Sequence, residues 1–298
     1  MEQLSVIDPH HHLWDLSVGK YPWLQHDFSP KLFGEYSRIR RDYLFENFWA
    51  DAKSQNLVKS VHLQAEHAHD DPVSETRWVQ SVADIHGFPH GIVAYADLEA
   101  SNLETTLVAH RQFKNLRGIR QIVNYHTDPM KSFVDRPDLM RSAKWQEGYG
   151  LLRKYDLSFD LQLYYPQMED AFHVAKRFPD TQVILNHTGM PLDRSTADLE
   201  GWRKGMARLA EAPNIACKVS GLGLGDWNWT VESIRPFALY AIDTFGADRC
   251  MFASNFPVDK LFSSYDAIFD AFKAITADFS IDDRWKLFHD NANRFYRL

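Results

Sequence analysis

The amino-terminal stretch Leu-Ser-Val-Ile-Asp-Pro-His-His-His, residues 4–12, joins a short apolar run to three consecutive histidines. The run Leu4–Asp8 has the length and the apolar content of a buried strand, and the histidines follow at its carboxyl end. No glycine-rich phosphate-binding pattern follows this run, which disfavours a dinucleotide-binding fold. The stretch therefore predicts a strand that ends in imidazole side chains.

Seven further apolar runs follow along the chain, and helical patterns lie between them. The eight predicted strands are Leu4–Asp8, Val58–Gln64, Gly91–Asp97, Leu116–Val123, Leu157–Leu163, Gln182–Asn186, Ile215–Ser220 and Cys250–Ser254. Strands that alternate with helices indicate an α/β protein with a parallel sheet, and eight of them favour a closed (β/α)8 TIM barrel over the runner-up, an open sheet. Because no linker divides the 298 residues, one domain over residues 1–298 is expected.

The helical patterns carry their own boundary signals. Apolar residues between Phe45 and Ala52 recur at the spacing of one helix face. Asp71 and Pro72 predict the start of a helix, and the stretch Ser101–Glu104 predicts a capping box, in which side chains bond the free backbone N–H groups.

Composition narrows the possible partners. The formal net charge of -7 and the pI near 6.0 disfavour nucleic-acid binding, which depends on clustered Lys and Arg. The first residues lack the basic start and apolar stretch of a secretory signal, and no segment reaches the length of a membrane span, so we expect a cytoplasmic protein with no membrane partner. Cys217 and Cys250 lie in apolar runs and are predicted to be buried free thiols.

Polar side chains follow the predicted strands at their carboxyl ends, which converge on one mouth in a barrel. His10 and His12 point to the same side of an extended segment, so that both imidazoles can meet one ion. The polar residues at the other strand ends are Gln64, Glu66, Asp97, Arg120, Asp160, Gln162, His187, Lys218, Ser220, Asn255 and Asp259. The mouth is therefore the predicted site of chemistry.

A second histidine pattern, Asn186-His187-Thr188-Gly189, ends the predicted sixth strand. With His10 and His12 in that order at strand ends, the sequence closely resembles the amidohydrolase superfamily, in particular the amidohydrolase-2 branch that contains L-fucono-, L-rhamnono- and pyrone-dicarboxylate lactonases. The resemblance runs along nearly the whole chain. It implies a hydrolase in which water attacks the ester carbonyl of a small lactone, with His10, His12 and His187 around the reacting oxygen.

The chain departs from this family pattern at the predicted eighth strand. Most of the superfamily has an aspartate at the position of Asn255, where it acts as general base and often as a metal ligand, and an amide can do neither as an anion. Asn255 is expected to orient water or substrate instead. Glu66 and Asp259 are then the candidates for the base, and the alternative for each is a solvated loop carboxylate.

The same departure bears on metal binding. Neutral imidazoles can hold a divalent ion or donate hydrogen bonds to an oxyanion, and members of the family differ on whether they need a metal. Without a charged ligand on the eighth strand, we expect one Zn or Mn ion at His10 and His12 to be weakly bound or dispensable.

Several residues are candidates for binding the substrate. Arg120 can grip a carboxylate or adjacent oxygens in bidentate fashion, with Gln64 and Asp160 nearby; the alternative is an ion pair of Arg120 with Asp97 or Asp160. The indoles that follow the seventh strand can stack on a sugar or lactone ring or pack the barrel rim. These indoles belong to Trp227 and Trp229.

Two other functions remain open at this point. One is a metal-dependent decarboxylase of the same branch, which an essential, tightly bound metal would favour. The other is a ligand-binding homologue that has lost its chemistry with the strand-8 aspartate. The partner expected in the leading interpretation is a small lactone, while the oligomeric state does not follow from the sequence.

Overall fold

The computed structural model describes residues 4–29 and 31–298. Eight parallel strands form one sheet in chain order. They are β1 (Val6–His11), β2 (Leu57–Leu63), β3 (Gly91–Tyr95), β4 (Leu116–Ile122), β5 (Ser158–Gln162), β6 (Val183–Leu185), β7 (Ile215–Val219) and β8 (Cys250–Phe252). The segment after β8 lies against β1, because the N–H of His12 donates to the carbonyl of Phe256 at 2.7 Å. The predicted barrel is confirmed, and the open sheet is wrong.

Eleven α-helices of the described residues surround the strands and follow them along the chain. They are α1 (Pro22–Gln25), α2 (Phe45–Ala52), α3 (Pro72–His86), α4 (Leu103–His110), α5 (Ala143–Lys154), α6 (Met168–Arg177), α7 (Thr196–Ala210), α8 (Val231–Phe245), α9 (Tyr265–Ile275), α10 (Ile281–Trp285) and α11 (Asn291–Tyr296). Short 3₁₀ turns and one π turn join several of them.

Helix starts and ends follow the local sequence, with one exception. α2 and α3 form as expected, and α3 begins at Pro72, whose missing N–H costs nothing in a first turn. The capping box expected at Ser101–Glu104 is wrong. α4 begins at Leu103 after Asn102, whose φ of -102° and ψ of 15° differ from the extended backbone of most capping residues, and no side chain caps this end.

Two apolar layers hold the barrel together. One lies between the strands and the surrounding helices; the other fills the interior of the barrel and includes Ile7, Val93 and Met251, with Tyr296 of α11 packed into it. Cys217 and Cys250 are opposite each other on β7 and β8, buried and free, as predicted. No helix in the described ranges is long and apolar enough to cross a membrane.

Candidate functional site

A cavity of about 570 Å³ opens where the strands end. Part of its polar lining comes from the carboxyl ends of β1, β2, β4, β5, β6 and β8, and these residues are His12, Glu66, Arg120, Gln162, His187 and Asn255. Loop residues add further polar groups, namely Asp27, Lys31, His67, His69 and Asp70. Aromatic and apolar side chains form the walls, among them Trp14, Trp23 and Phe33. A polar floor under apolar walls is typical of a small-molecule site.

Three imidazoles meet at this floor. The rings of His10 and His12 lie 5.1 Å apart between centroids, and those of His10 and His187 lie 4.4 Å apart. His10 is fully buried and its Nε2 has no hydrogen-bond partner in the described part of the chain, while His12 and His187 line the cavity. His11, the residue between the first two, faces the other way and stacks on Phe48 of α2, so the alternation expected from the sequence is observed.

These imidazoles are held in a neutral state. Burial lowers the pKa of each ring well below its ordinary value, and two nearby cations, Arg120 and Lys218, lower the pKa of His10 and His187 further. Burial and Arg120 have the same effect on the pKa of His12. Neutral rings can donate or accept a hydrogen bond, depending on which nitrogen carries the proton.

The backbone is strained at three of the strand ends that line the cavity. Glu66, His187 and Asn255 have φ of 54°, 53° and 57°, in the left-handed region that residues other than glycine seldom occupy. Contacts from neighbouring segments hold this geometry; for example, the N–H of Asn255 donates to the carbonyl of His10 at 2.8 Å. Such strain is concentrated at functional sites in proteins, and here it aims side chains into the cavity.

Among the residues that the structure describes, Arg120 is a buried cation without an acidic partner. Its Nη1 donates to Oε1 of Gln162 at 3.1 Å, its Nη2 donates to the carbonyl of Gln64, and its Nε has no partner. Within the described ranges no carboxylate lies at ion-pairing distance, so the alternative pairing with Asp97 or Asp160 is not formed. Burial lowers the pKa of this guanidinium, yet an arginine stays charged in proteins.

Glu66 is fixed in place by its neighbour Gln64. The amide Nε2 of Gln64 donates to Oε1 of Glu66 at 2.6 Å, and the backbone N–H of Glu66 donates to Oε1 of Gln64 at 2.7 Å. The glutamate lines the cavity, whereas the Gln64 side chain does not. Glu75 of α3 supports this turn by accepting the N–H of Ala65 at 2.9 Å.

Asp259, the other candidate base, lies behind Asn255. The Asn255 amide donates to Oδ1 of Asp259 at 2.9 Å, and the aspartate is buried without lining the cavity. Burial raises the pKa of Asp259 to about 7. This carboxyl group therefore reaches the cavity only through the amide.

Asp160 lies below the floor and does not line the cavity. Its Oδ1 accepts hydrogen bonds from Nζ of Lys218 at 2.6 Å, from the Tyr296 hydroxyl at 2.7 Å and from Nδ2 of Asn186 at 3.0 Å. Burial lowers the pKa of Lys218 to about 8 even though this carboxylate opposes the shift. The placement gives no support to a direct role of Asp160 in binding substrate.

The aromatic walls come from a different loop than expected. Trp227 is half exposed and stacks against Phe262, Trp229 packs against the core, and neither lines the cavity. This agrees with the alternative of rim packing. Trp14 and Trp23, from the connection between β1 and α2, line the cavity instead, and sequence reasoning assigned them no role.

The chain matches, over residues 7–298, the family model described as Amidohydrolase. It belongs to the amidohydrolase family. An uncharacterized protein of Sinorhizobium fredii, y4mH, is 56% identical over 298 residues and all of both chains. L-fucono-1,5-lactonase of Burkholderia multivorans is 29% identical over 88% of this chain and 85% of its own. An amidohydrolase from Burkholderia multivorans, whose crystal structure contains bound Zn, is 27% identical in sequence to this chain. The two structures superpose with a TM-score of 0.82 over 99% of both chains.

The Zn-bound relative raises the question of whether this amidohydrolase offers a comparable site. Over residues 4–29 and 31–298, no three His, Cys, Asp or Glu side chains are grouped so that they could hold an ion. Asn255 supplies a neutral amide, and the charged groups that depress the imidazole pKa values are cations. These residues do not fit a tightly held divalent ion, and a weak or dispensable ion at His10 and His12 stays a prediction.

Proposed function

We propose that this amidohydrolase opens a small lactone, derived from a sugar acid or a dicarboxylic acid, by attack of water on the ester carbonyl. The observation that carries the proposal is the buried guanidinium of Arg120, which has no acidic partner and faces the same cavity as the neutral rings of His12 and His187. The relative named L-fucono-1,5-lactonase supports this class of substrate.

Arg120 binds oxygen atoms of the substrate. Hydrogen bonds to Gln162 and to the Gln64 carbonyl fix its plane. In a buried site, a fixed guanidinium binds a carboxylate or paired ring oxygens strongly and directionally. Trp14 and Trp23 in the walls then cover the apolar face of the bound ring.

His187 stabilises the charge that develops on the carbonyl oxygen. Its Nδ1 lies 3.1 Å from the Ser220 hydroxyl, and its strained backbone holds the ring at the end of β6. Donors fixed before the reaction lower the energy of a tetrahedral oxyanion more than solvent does, because they need no reorganisation. Arg120 adds positive charge to the same floor.

Glu66 accepts the proton of the attacking water. Of the two candidate carboxylates, it is the one that lines the cavity, and Gln64 fixes its orientation. The water oxygen forms a bond to the carbonyl carbon, the ring C–O bond breaks, and the proton passes from Glu66 to the leaving alkoxide. Asn255, backed by Asp259, orients the water by hydrogen bonding.

A pH-indicator assay on a panel of sugar-acid and dicarboxylic lactones tests the proposal, because the hydroxy acid formed by ring opening releases a proton at neutral pH. We expect catalysed opening of at least one lactone, and we expect the activity to survive treatment with a chelator. If the folded protein opens no lactone of the panel, the proposed function is wrong. Activity that is lost on chelation and restored by a divalent ion would overturn only the prediction that the metal is dispensable.

A further inference from the structure

Lys218 meets His10 below the cavity floor. Its Nζ lies 3.5 Å from Nδ1 of His10 and 2.6 Å from Oδ1 of Asp160, and all three side chains are fully buried. The carboxylate 2.6 Å away stabilises the ammonium form of the amine, and an ammonium can only donate hydrogen bonds. A proton on Nδ1 of His10 would therefore point an N–H at a cation.

His12 has the opposite partner. Its Nδ1 lies 2.8 Å from the backbone carbonyl of Leu63, and a carbonyl oxygen can only accept. The proton of the neutral His12 ring is therefore on Nδ1, which leaves a lone pair on Nε2. In a neutral imidazole the hydrogen bond of one nitrogen sets the state of the other.

We infer that Lys218 places the proton of His10 on Nε2, so that His10 offers an N–H and His12 offers a lone pair. In the described structure Nε2 of His10 is a buried atom without a partner, so this N–H is available to a ligand. Lys218 is thus a positioning residue, acting through His10. The two proton positions do not depend on the proposed function. The roles of the two rings do: in lactone opening, the His10 N–H faces the carbonyl oxygen, and the His12 lone pair faces water or a substrate hydroxyl.

Three buried side chains hold the Lys218 ammonium beside Nδ1 of His10. The carboxylate oxygen that pairs with it also accepts from the Tyr296 hydroxyl at 2.7 Å and from Asn186 at 3.0 Å. The Tyr296 ring lies under the ammonium, with its centroid 5.0 Å from Nζ. A fully buried charge cannot leave this pair without losing its compensation, so Lys218 stays against His10.

The arrangement also explains why the histidine pair does not fit a tightly held metal. A histidine that ligates a metal donates its other N–H to a carbonyl, a carboxylate or water, as His12 does to Leu63. His10 instead has an ammonium on that side. Its Nε2 must lose its proton before it can ligate, and Lys218 opposes that change.

Long-range ¹H–¹⁵N correlation spectra of histidine-labelled protein test the inference, because they distinguish the two neutral forms of an imidazole. Signals are assigned by their loss in His10→Gln and His12→Gln. We expect His10 with its proton on Nε2 and His12 with its proton on Nδ1 in the metal-free wild type at neutral pH. A His10 ring with its proton on Nδ1 would overturn the inference, whatever any variant does.

Removal of the ammonium gives a second test. The double variant Lys218→Met/Asp160→Asn removes both charges of the pair, so that neither partner is left as an uncompensated buried ion. We expect a population of His10 with the proton on Nδ1, and an affinity for zinc alone, measured by calorimetry, that rises about 10- to 100-fold. The ion pair of Lys260 and Asp51, at the surface, supplies the matched control. Lys260→Met/Asp51→Asn should leave the proton position of His10 and the affinity for zinc unchanged.

An unchanged His10 proton and zinc affinity in a folded double variant would contradict the inference. Unaltered His11 and His12 signals would establish that the variant is folded, and if it does not fold, the wild-type spectrum alone decides. These spectra need no substrate. A panel without an active lactone would therefore refute the proposed function and leave the proton positions standing.

Discussion

Buried charges are paired in one region of the molecule and unpaired in a neighbouring one. The unpaired region is the cavity floor, which includes His12, Arg120, His187 and Asn255, and the paired region is the buried layer beneath it, formed by Asp160, Lys218 and Tyr296. In the buried layer, the carboxylate and the ammonium are 2.6 Å apart, and the tyrosine hydroxyl donates a second hydrogen bond to the carboxylate. On the floor, a buried guanidinium has no acidic partner. A buried charge that is paired supports the fold, and one that lacks a partner is suited to bind a ligand.

The largest difference is expected between two carboxyl groups at the edge of the floor. Glu66→Gln should lower kcat by roughly 10²- to 10⁴-fold, the contribution of a positioned general base. Asp259→Asn should lower it only a few-fold, because Asp259 does not line the cavity. Initial rates of lactone opening measure both. If kcat falls equally in the two variants, or falls more in Asp259→Asn, the general base would be assigned to Asp259.

His187→Ala should lower turnover by roughly 10²- to 10³-fold, because it removes a fixed donor from the oxyanion. The matched control is His173→Ala, a histidine on the exposed face of α6 that pairs only with Glu169. Steady-state rates of both variants are compared with circular dichroism as a check on folding. Activity of folded His187→Ala within a few-fold of wild type would mean that His187 only packs.

Arg120→Lys tests whether the unpaired guanidinium binds substrate. We expect kcat/KM to fall about 10- to 100-fold, since lysine cannot reproduce two parallel charged hydrogen bonds. Arg117 lies at the other end of the same strand and bonds backbone carbonyls, so Arg117→Lys should leave kcat/KM unchanged. A loss of stability in Arg120→Lys with unchanged kcat/KM would place Arg120 among the structural residues.

A further effect, on stability and not on catalysis, is expected for Asp259. The folded protein raises the pKa of Asp259 from 3.8 to about 7, so it keeps a proton that the unfolded chain loses near pH 4. The stability from this group is full at low pH and is lost as the pH rises through about 7. Between about pH 4 and pH 7, the free energy of unfolding of the wild type, relative to that of Asp259→Asn, should fall by at most about 1.4 kcal/mol per pH unit. Urea unfolding of both proteins across this pH range measures the difference in free energy of unfolding. A difference that stays constant with pH would contradict the prediction.

The strands and the strand-end histidines could be predicted from local patterns. Apolar runs of strand length place His12, Arg120 and His187 at carboxyl ends, and a barrel brings such ends to one mouth whatever the loops do. The opposite orientations of His10 and His11 follow from the same regularity, because side chains alternate along a strand.

The walls and the buried layer could not be predicted in this way. Trp14 lies in an irregular segment after β1, and Trp23 lies in α1, a helix of four residues; neither segment is long enough for a period to show which side chain turns inward. Asp160 lies in the middle of β5, in register with Arg120 of β4, and Tyr296 from the far end of the chain donates to it below the floor. Such partners, remote in sequence, decide which polar strand-end residues face the cavity.

Lactone opening in water enriched in ¹⁸O tests the central claim most directly, because it shows whether the floor directs water to the ester carbonyl. With the wild type and a lactone that it opens in the panel, we predict that the label enters the carboxylate of the hydroxy acid, as cleavage of the acyl C–O bond requires. Label in the new hydroxyl group would contradict the account, and so would a panel in which no lactone opens.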